Sequence, residues 1–155
     1  MSHHLAQVNI ARIIAPLDSA QMAAFVNNLA EINALAEQAP GFVWRLQTAA
    51  GDATAIQVYD DARIIINLSV WESLAALHRY TYHSTHADFF RRRREWFEKL
   101  ETPALALWWQ PIGQLPTPRE AQARLAYLQA HGVTPHAFTF KQAFTIAQMQ
   151  AYPAL

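Results

Sequence analysis

Apolar and polar positions alternate with a period of two over residues 4–12, the pattern of a strand with one buried face. Pro16 and Asp18 end it. Asp18, with Gln21 three residues on, then has the spacing of a helix amino-terminal cap. Met22, Phe25, Val26, Leu29, Ile32 and Ala36 follow at helical spacing and predict a core-facing stripe, stopped at Pro40-Gly41. Phe42–Gln47 predicts a second strand, Ala49–Asp52 a turn around Gly51, and Thr54–Tyr59 a short β-rich run. Arg63–Trp71, β-branched through Ile64, Ile65, Ile66 and Val70, carries the strongest strand signal. A helical region over about 72–100, interrupted near Tyr82–Ser84, precedes Pro103 and a fourth strand at Ala104–Gln110. The order βαββαβ predicts an α+β fold with a ferredoxin-like antiparallel sheet.

Beyond it, Thr117-Pro118-Arg119-Glu120 has the form of a capping box with proline at the first helical position. Leu125 and Leu128 make a stripe, Gly132 closes it, and Phe138–Phe140 predicts one more strand. The whole reads as a single domain over 1–155, with a core at 3–112 and a C-terminal helix-strand extension at 113–155.

Helices of such a sheet cover one face, so the second must meet solvent, a partner or a ligand. Along the strand at 63–71, Ile64, Ile66, Leu68 and Val70 share one side and suit packing under the helices. Ile65, Asn67, Ser69 and Trp71 share the other, where the first strand adds Gln7 and Asn9. A monomer leaving that second side bare would expose a large patch to water. The expectation is therefore a homodimer whose sheets pair face to face or close a dimeric α/β barrel, each retaining a partly polar cavity.

Composition narrows the partners. The chain has 155 residues, 52% of them hydrophobic, and a formal net charge of zero, so no global field favours nucleic acid or an acidic membrane. It has no cysteine, which removes disulfides, thiolate metal sites and a thiol nucleophile. The start alternates rather than forming a basic then apolar leader, and no run approaches the roughly 20 apolar residues of a membrane span. A cytoplasmic, soluble protein is expected. With four glycines, no phosphate-binding loop and no G-x-S-x-G elbow, nucleotide binding and serine hydrolysis drop out. His78, His83 and His86 form no recognised metal pattern, so neither a metal nor another cofactor is expected.

Chemistry-bearing residues concentrate between 67 and 97. On a helix over 84–100, Phe89, Phe90, Trp96, Phe97 and Leu100 share a face with His86 and Arg93 near its centre, while Arg91 and Arg92 point away and Arg94 sits on the flank. An inward guanidinium requires a carboxylate, carbonyls or an anionic ligand, so Arg93 is either a structural clamp or a ligand contact. His83 and His86 are each either a general base or a hydrogen-bonded structural histidine. Asn67 and Trp71, four apart on a strand, point the same way and either orient an oxyanion and wall a ring or form a hydrogen-bonded bulge at a dimer interface. The catalytic candidates are His86, His83, Arg93 and Asn67; the substrate-binding candidates are Trp71, Tyr82, Asn9 and Ser69.

Asn67-Leu-Ser-Val-Trp71-Glu-Ser, His86-Ala-Asp-Phe-Phe-Arg91-Arg-Arg-Arg-Glu-Trp96-Phe97 and Leu107-Trp-Trp109 resemble the bacterial family catalogued as domain of unknown function 3291, over almost the entire chain. That family is similar in turn to the dimeric α/β-barrel superfamily, with its antibiotic-biosynthesis monooxygenases, haem-degrading enzymes and small isomerases. In the monooxygenases an asparagine and a tryptophan four residues apart line the pocket, and Asn67 and Trp71 match that spacing. The resemblance implies a cofactor-independent, monooxygenase-like enzyme for a small aromatic or enolisable substrate. A non-catalytic ligand-binding or dimeric scaffold protein is the alternative, and a haem-binding protein the third.

Overall fold

The computed structural model describes residues 2–47, 54, 56–84 and 86–153. Four strands, β1 (His3–Arg12), β2 (Phe42–Arg45), β3 (Ile64–Trp71) and β4 (Leu105–Pro111), form one antiparallel sheet in the order β2-β3-β1-β4. Helix α1 (Ala23–Gln38) joins β1 to β2, and α2 (Leu74–His83) with α3 (His86–Arg91) joins β3 to β4. This is the strand order and connectivity of the ferredoxin-like arrangement expected from the sequence. Helices α4 (Pro118–His131) and α5 (Ile146–Ala151) follow.

Local chemistry accounts for the boundaries. Asp18 does not cap α1; a 3-10 turn at Ala20–Met22 intervenes, and Ser19 donates its hydroxyl to the Pro16 carbonyl at 2.5 Å instead. Gly41, with φ +86°, turns the chain after α1, and a Cβ there would lie 2.5 Å from that of Ala76 on α2. Ser73 caps α2 by accepting from the Ala76 amide. Ser84 ends that helix: it is extended, donates its hydroxyl to the Tyr80 carbonyl and accepts from the His86 amide. The helix expected over 84–100 is therefore short. It stops at Arg91, a 3-10 turn covers Arg93–Glu95, and Phe97 bridges to Ile13.

Thr117 and Gly132 bound α4 as the sequence predicts. The strand expected at Phe138–Phe140 is a single bridged pair between Phe138 and Leu107. Helix α5, unmarked in the sequence reading, carries a complete capping box between Thr145 and Gln148. The turn expected at Ala49–Asp52 lies outside the described residues, and 56–58 form no strand.

The two sheet faces are covered in the opposite sense to the expectation. Ile66, Leu68 and Val70, with Ala6, Val8, Ala106 and Trp108, pack against Ala121, Leu125 and Leu128 of α4, so the apolar face is lined by the C-terminal extension of the same chain. The face bearing Gln7, Asn9, Asn67, Ser69 and Trp71 turns toward α1, α2 and α3. Its far end is closed by Leu77, Tyr80, Leu107 and Phe138. The face from which a pairing of two copies was inferred is thus occupied, in the single chain, by its own helices.

Arg124 of α4 donates to the carbonyl and to ring Nδ1 of His136. Partial burial and that positive charge push the imidazole pKa down to about 4. The unfolded chain, with an ordinary histidine pKa of about 6.5, takes up the proton first. The stability contributed by the neutral ring is complete above that value and is lost as pH falls toward the folded pKa. Thermal unfolding followed from pH 7 to pH 4 should show a falling midpoint whose slope is reduced in His136→Asn; an unchanged slope would remove His136 from this role.

Candidate functional site

A cavity of about 510 Å³ lies between the polar sheet face and the helices. Its origin is a mismatch of surfaces. The α1 stripe expected to be core has only Met22 and Ala36 buried; Phe25, Leu29 and Ile32 are half-buried and Val26 is exposed. Opposite them stand Gln7, Asn9 and Asn67 rather than hydrocarbon, and the two layers do not interdigitate.

The floor is a connected amide and hydroxyl network. Gln7, 4% exposed, donates through Nε2 to Asn67 Oδ1 at 2.6 Å and to Ser69 Oγ at 2.8 Å. It accepts from Asn9 Nδ2 at 3.1 Å, and Trp71 Nε1 donates to Ser69 Oγ at 2.9 Å. Asn9 and Asn67 are direct cross-strand partners. Asn67 is exposed although β3 is hydrogen-bonded on both sides, because its side chain opens into the cavity. Its Nδ2 has no hydrogen-bond partner among the described residues, and Asn9 Oδ1 likewise has none. The network thus holds one amide in place and leaves a donor and an acceptor for a guest.

Of the site residues expected from sequence, Asn67, Asn9, Ser69, Trp71, Tyr82, His86 and Arg93 all border this cavity. His83 does not. It sits exposed at the end of α2 against the ring of His78, because the break at Ser84 separates it from the face that carries His86. Trp71 is only 1% exposed, stacked on Tyr80 and edge-on to Phe42, so it supports the floor more than it walls a ligand.

His86 is positioned at the start of α3, with Nδ1 3.2 Å from the Thr81 carbonyl and its ring packed on Tyr80. A carbonyl oxygen only accepts, so Nδ1 carries the proton and Nε2 keeps its lone pair. Burial pushes the imidazole pKa below its ordinary value, and the carbonyl only partly opposes this. The ring is neutral at physiological pH, with a basic nitrogen unused by the described residues. Tyr80, its pKa raised by burial, donates its hydroxyl to the Ile32 carbonyl at 3.2 Å.

Arg93 is half-buried but meets no acid among the described residues. It donates to the Phe90 carbonyl at 2.9 Å with its guanidinium 4.2 Å above the Phe90 ring. Tyr82 and Phe90, both exposed, mark the cavity's aromatic rim with Phe140, which the C-terminal extension supplies.

Gln7, Tyr80, Arg45 and Phe140 are among the cavity residues that were not sequence-derived site candidates. Gln7 could have been found from its register with Asn67 and Ser69 once β1 and β3 are paired. Arg45, nearly buried in β2 and ion-paired with Glu37 at 3.1 Å, gives no signal in a four-residue strand. No group of histidines, aspartates and glutamates able to hold a metal ion occurs among the described residues, and no helix there is long and apolar enough to cross a membrane.

Among solved structures, the chain is similar to PA3566 from Pseudomonas aeruginosa, at 17% identity and a TM-score of 0.49, covering 75% of this chain and 98% of that one. It is also similar to NE2512, a protein of unknown function from Nitrosomonas europaea, at 12% identity and a TM-score of 0.46, covering 76% and 96%. No curated protein matches. Residues 4–153 match the profile of the family described as Domain of unknown function (DUF3291), and the chain belongs to that family.

Proposed function

We propose that this member of the DUF3291 family is a small-molecule enzyme that removes a proton from an aromatic or enolisable substrate, in the manner of the cofactor-independent monooxygenases and isomerases. One observation carries this: an unpaired amide donor on a central strand, Asn67 Nδ2, shares a cavity with a neutral imidazole whose Nε2 is free to accept. His86 takes the proton from a phenol or activated carbon, and Asn67 donates to the oxygen on which negative charge develops. The aromatic lining at Phe25, Phe89 and Phe97 holds the ring and limits water. The resulting anion is reprotonated at another carbon, an isomerisation. Alternatively, where the carbon carries two hydrogens, the anion adds dioxygen there and the O–O bond breaks. One oxygen atom stays as a carbonyl and the other leaves with both hydrogens as water, all four electrons coming from the substrate.

The test is a panel of phenols, quinols and enolisable ketones, followed by absorbance and by oxygen uptake. Turnover by the wild-type chain that falls about a hundredfold or more in Asn67→Ala is the expected result. Because burial lowers the His86 pKa, the acid limb of kcat/KM should lie below about pH 6.5, the active form being the deprotonated ring. Binding of panel members with no turnover and no oxygen uptake would sink the enzymatic reading. It would leave the non-catalytic one, which the packing of His86 between Tyr80 and the Thr81 carbonyl favours.

A further inference from the structure

The four consecutive arginines are not used alike. Arg91 pairs with Asp88, three residues before it, and Arg92 pairs with Glu95, three residues after it, at 2.8 Å. At three and four residues on either side of Arg93 stand Phe89, Phe90, Trp96 and Phe97, none of which offers a carboxylate. Glu98 lies four residues beyond Arg94, but it is turned to Arg12 at 3.3 Å and Arg63 at 3.2 Å. Among the described residues neither Arg93 nor Arg94 has an ion-pair partner, and both line the cavity. Glu98 is the acidic residue of that lining and is already shared by two cations; Arg45, the third arginine there, is paired with Glu37. The cavity thus has a neutral amide floor, an aromatic wall and two uncompensated positive charges.

We infer that the substrate or ligand is an aromatic carboxylate, held by its ring against the wall and by its carboxylate on Arg93 and Arg94 at the rim. This rests on the cavity being a small-molecule site and adds the chemical class of its guest. Arg93 spends one of its five N–H donors on the Phe90 carbonyl, which fixes its plane and leaves the rest of a fork suited to a planar carboxylate. The ring of Phe90 beneath the guanidinium continues into the lining that the guest's own ring would touch. Both arginines keep enough exposure to exchange water for a ligand without rearrangement of the fold.

Two probes of matched shape, naphthoate and naphthamide, test this by calorimetric titration of the wild-type chain and of Arg93→Ala/Arg94→Ala. The carboxylate should bind the wild type at least about tenfold more tightly than the amide, as expected for charge-assisted bonds. That preference should vanish in the double variant while naphthamide affinity stays the same. Raising ionic strength on the wild type should weaken naphthoate alone, a measurement that stands even if the double variant fails to fold. Equal binding of the two probes to the wild type, or a preference that survives both substitutions, would overturn the carboxylate assignment and leave the cavity reading intact. Failure of both probes to bind would overturn both.

Discussion

Replacing Trp71 by alanine is expected to destabilise the chain by about 3–5 kcal/mol, the range for deleting a large buried aromatic side chain. For a chain of this length that corresponds to roughly 6–20 °C in Tm. The indole is 1% exposed, stacks on Tyr80 with ring centroids 5.1 Å apart, and meets Phe42 edge-on at 5.4 Å. Its Nε1 donates to Ser69, so alanine would also disturb the hydroxyl on which Gln7 rests. Trp71→Phe keeps an aromatic ring but loses that hydrogen bond and part of the buried indole volume, and should cost less than alanine, about 1–3 kcal/mol. Thermal and denaturant unfolding distinguish this from a ligand-facing role. A Trp71→Ala protein that unfolds like the wild type but loses ligand affinity would mean that the indole acts as a pocket wall.

Substituting His86 by glutamine is expected to lower kcat by about a hundredfold to ten-thousandfold, the usual contribution of a positioned general base. Glutamine can still donate an N–H to the Thr81 carbonyl and fill much of the space against Tyr80, so the unfolding midpoint should move little. The diagnostic readout is the pH profile. With the imidazole gone, the acid limb of kcat/KM below about pH 6.5 should flatten, while Asn67→Ala should lower the whole curve and leave the limb in place. A His86→Gln enzyme with a normal profile would move the proton acceptor elsewhere in the cavity.

The four strands of the sheet and the pairing of side chains by face were legible in the sequence because a period of two is a local property, and the sheet's arrangement followed from the order of the elements. The β-branched run at 64–70 announces β3 without help from any distant residue. Which layer covers which face is a different kind of fact. Hydrocarbon at Ile66, Leu68 and Val70 requires only some apolar cover, and α1 and α4 both offer a stripe that could provide it. The alternation therefore could not say that α4 takes the apolar side and leaves α1 suspended over amides. His83 was misplaced for a related reason. The interruption expected near Tyr82–Ser84 falls at Ser84, which bonds the Tyr80 carbonyl and the His86 amide. Periodicity could not say that this break turns His83 away from the face of His86, nor that the second helix stops at Arg91 rather than running to residue 100. Arg93 reached the cavity although that continuous helix does not exist, because the 3-10 turn returns the chain toward β1, where Phe97 bridges Ile13.

The cover supplied by α4 also imposes an order on biosynthesis. When β4 has left the ribosome the sheet can close, yet Val8, Leu68, Val70 and Trp108 have only the partial cover of Trp44, Leu46, Ile56 and Val58 until the residues around Leu125 and Leu128 follow. A nascent chain halted in that interval presents a sticky half-built layer, a target for chaperones and a seed for aggregation. Completion of translation brings the lining that α4 supplies to that layer.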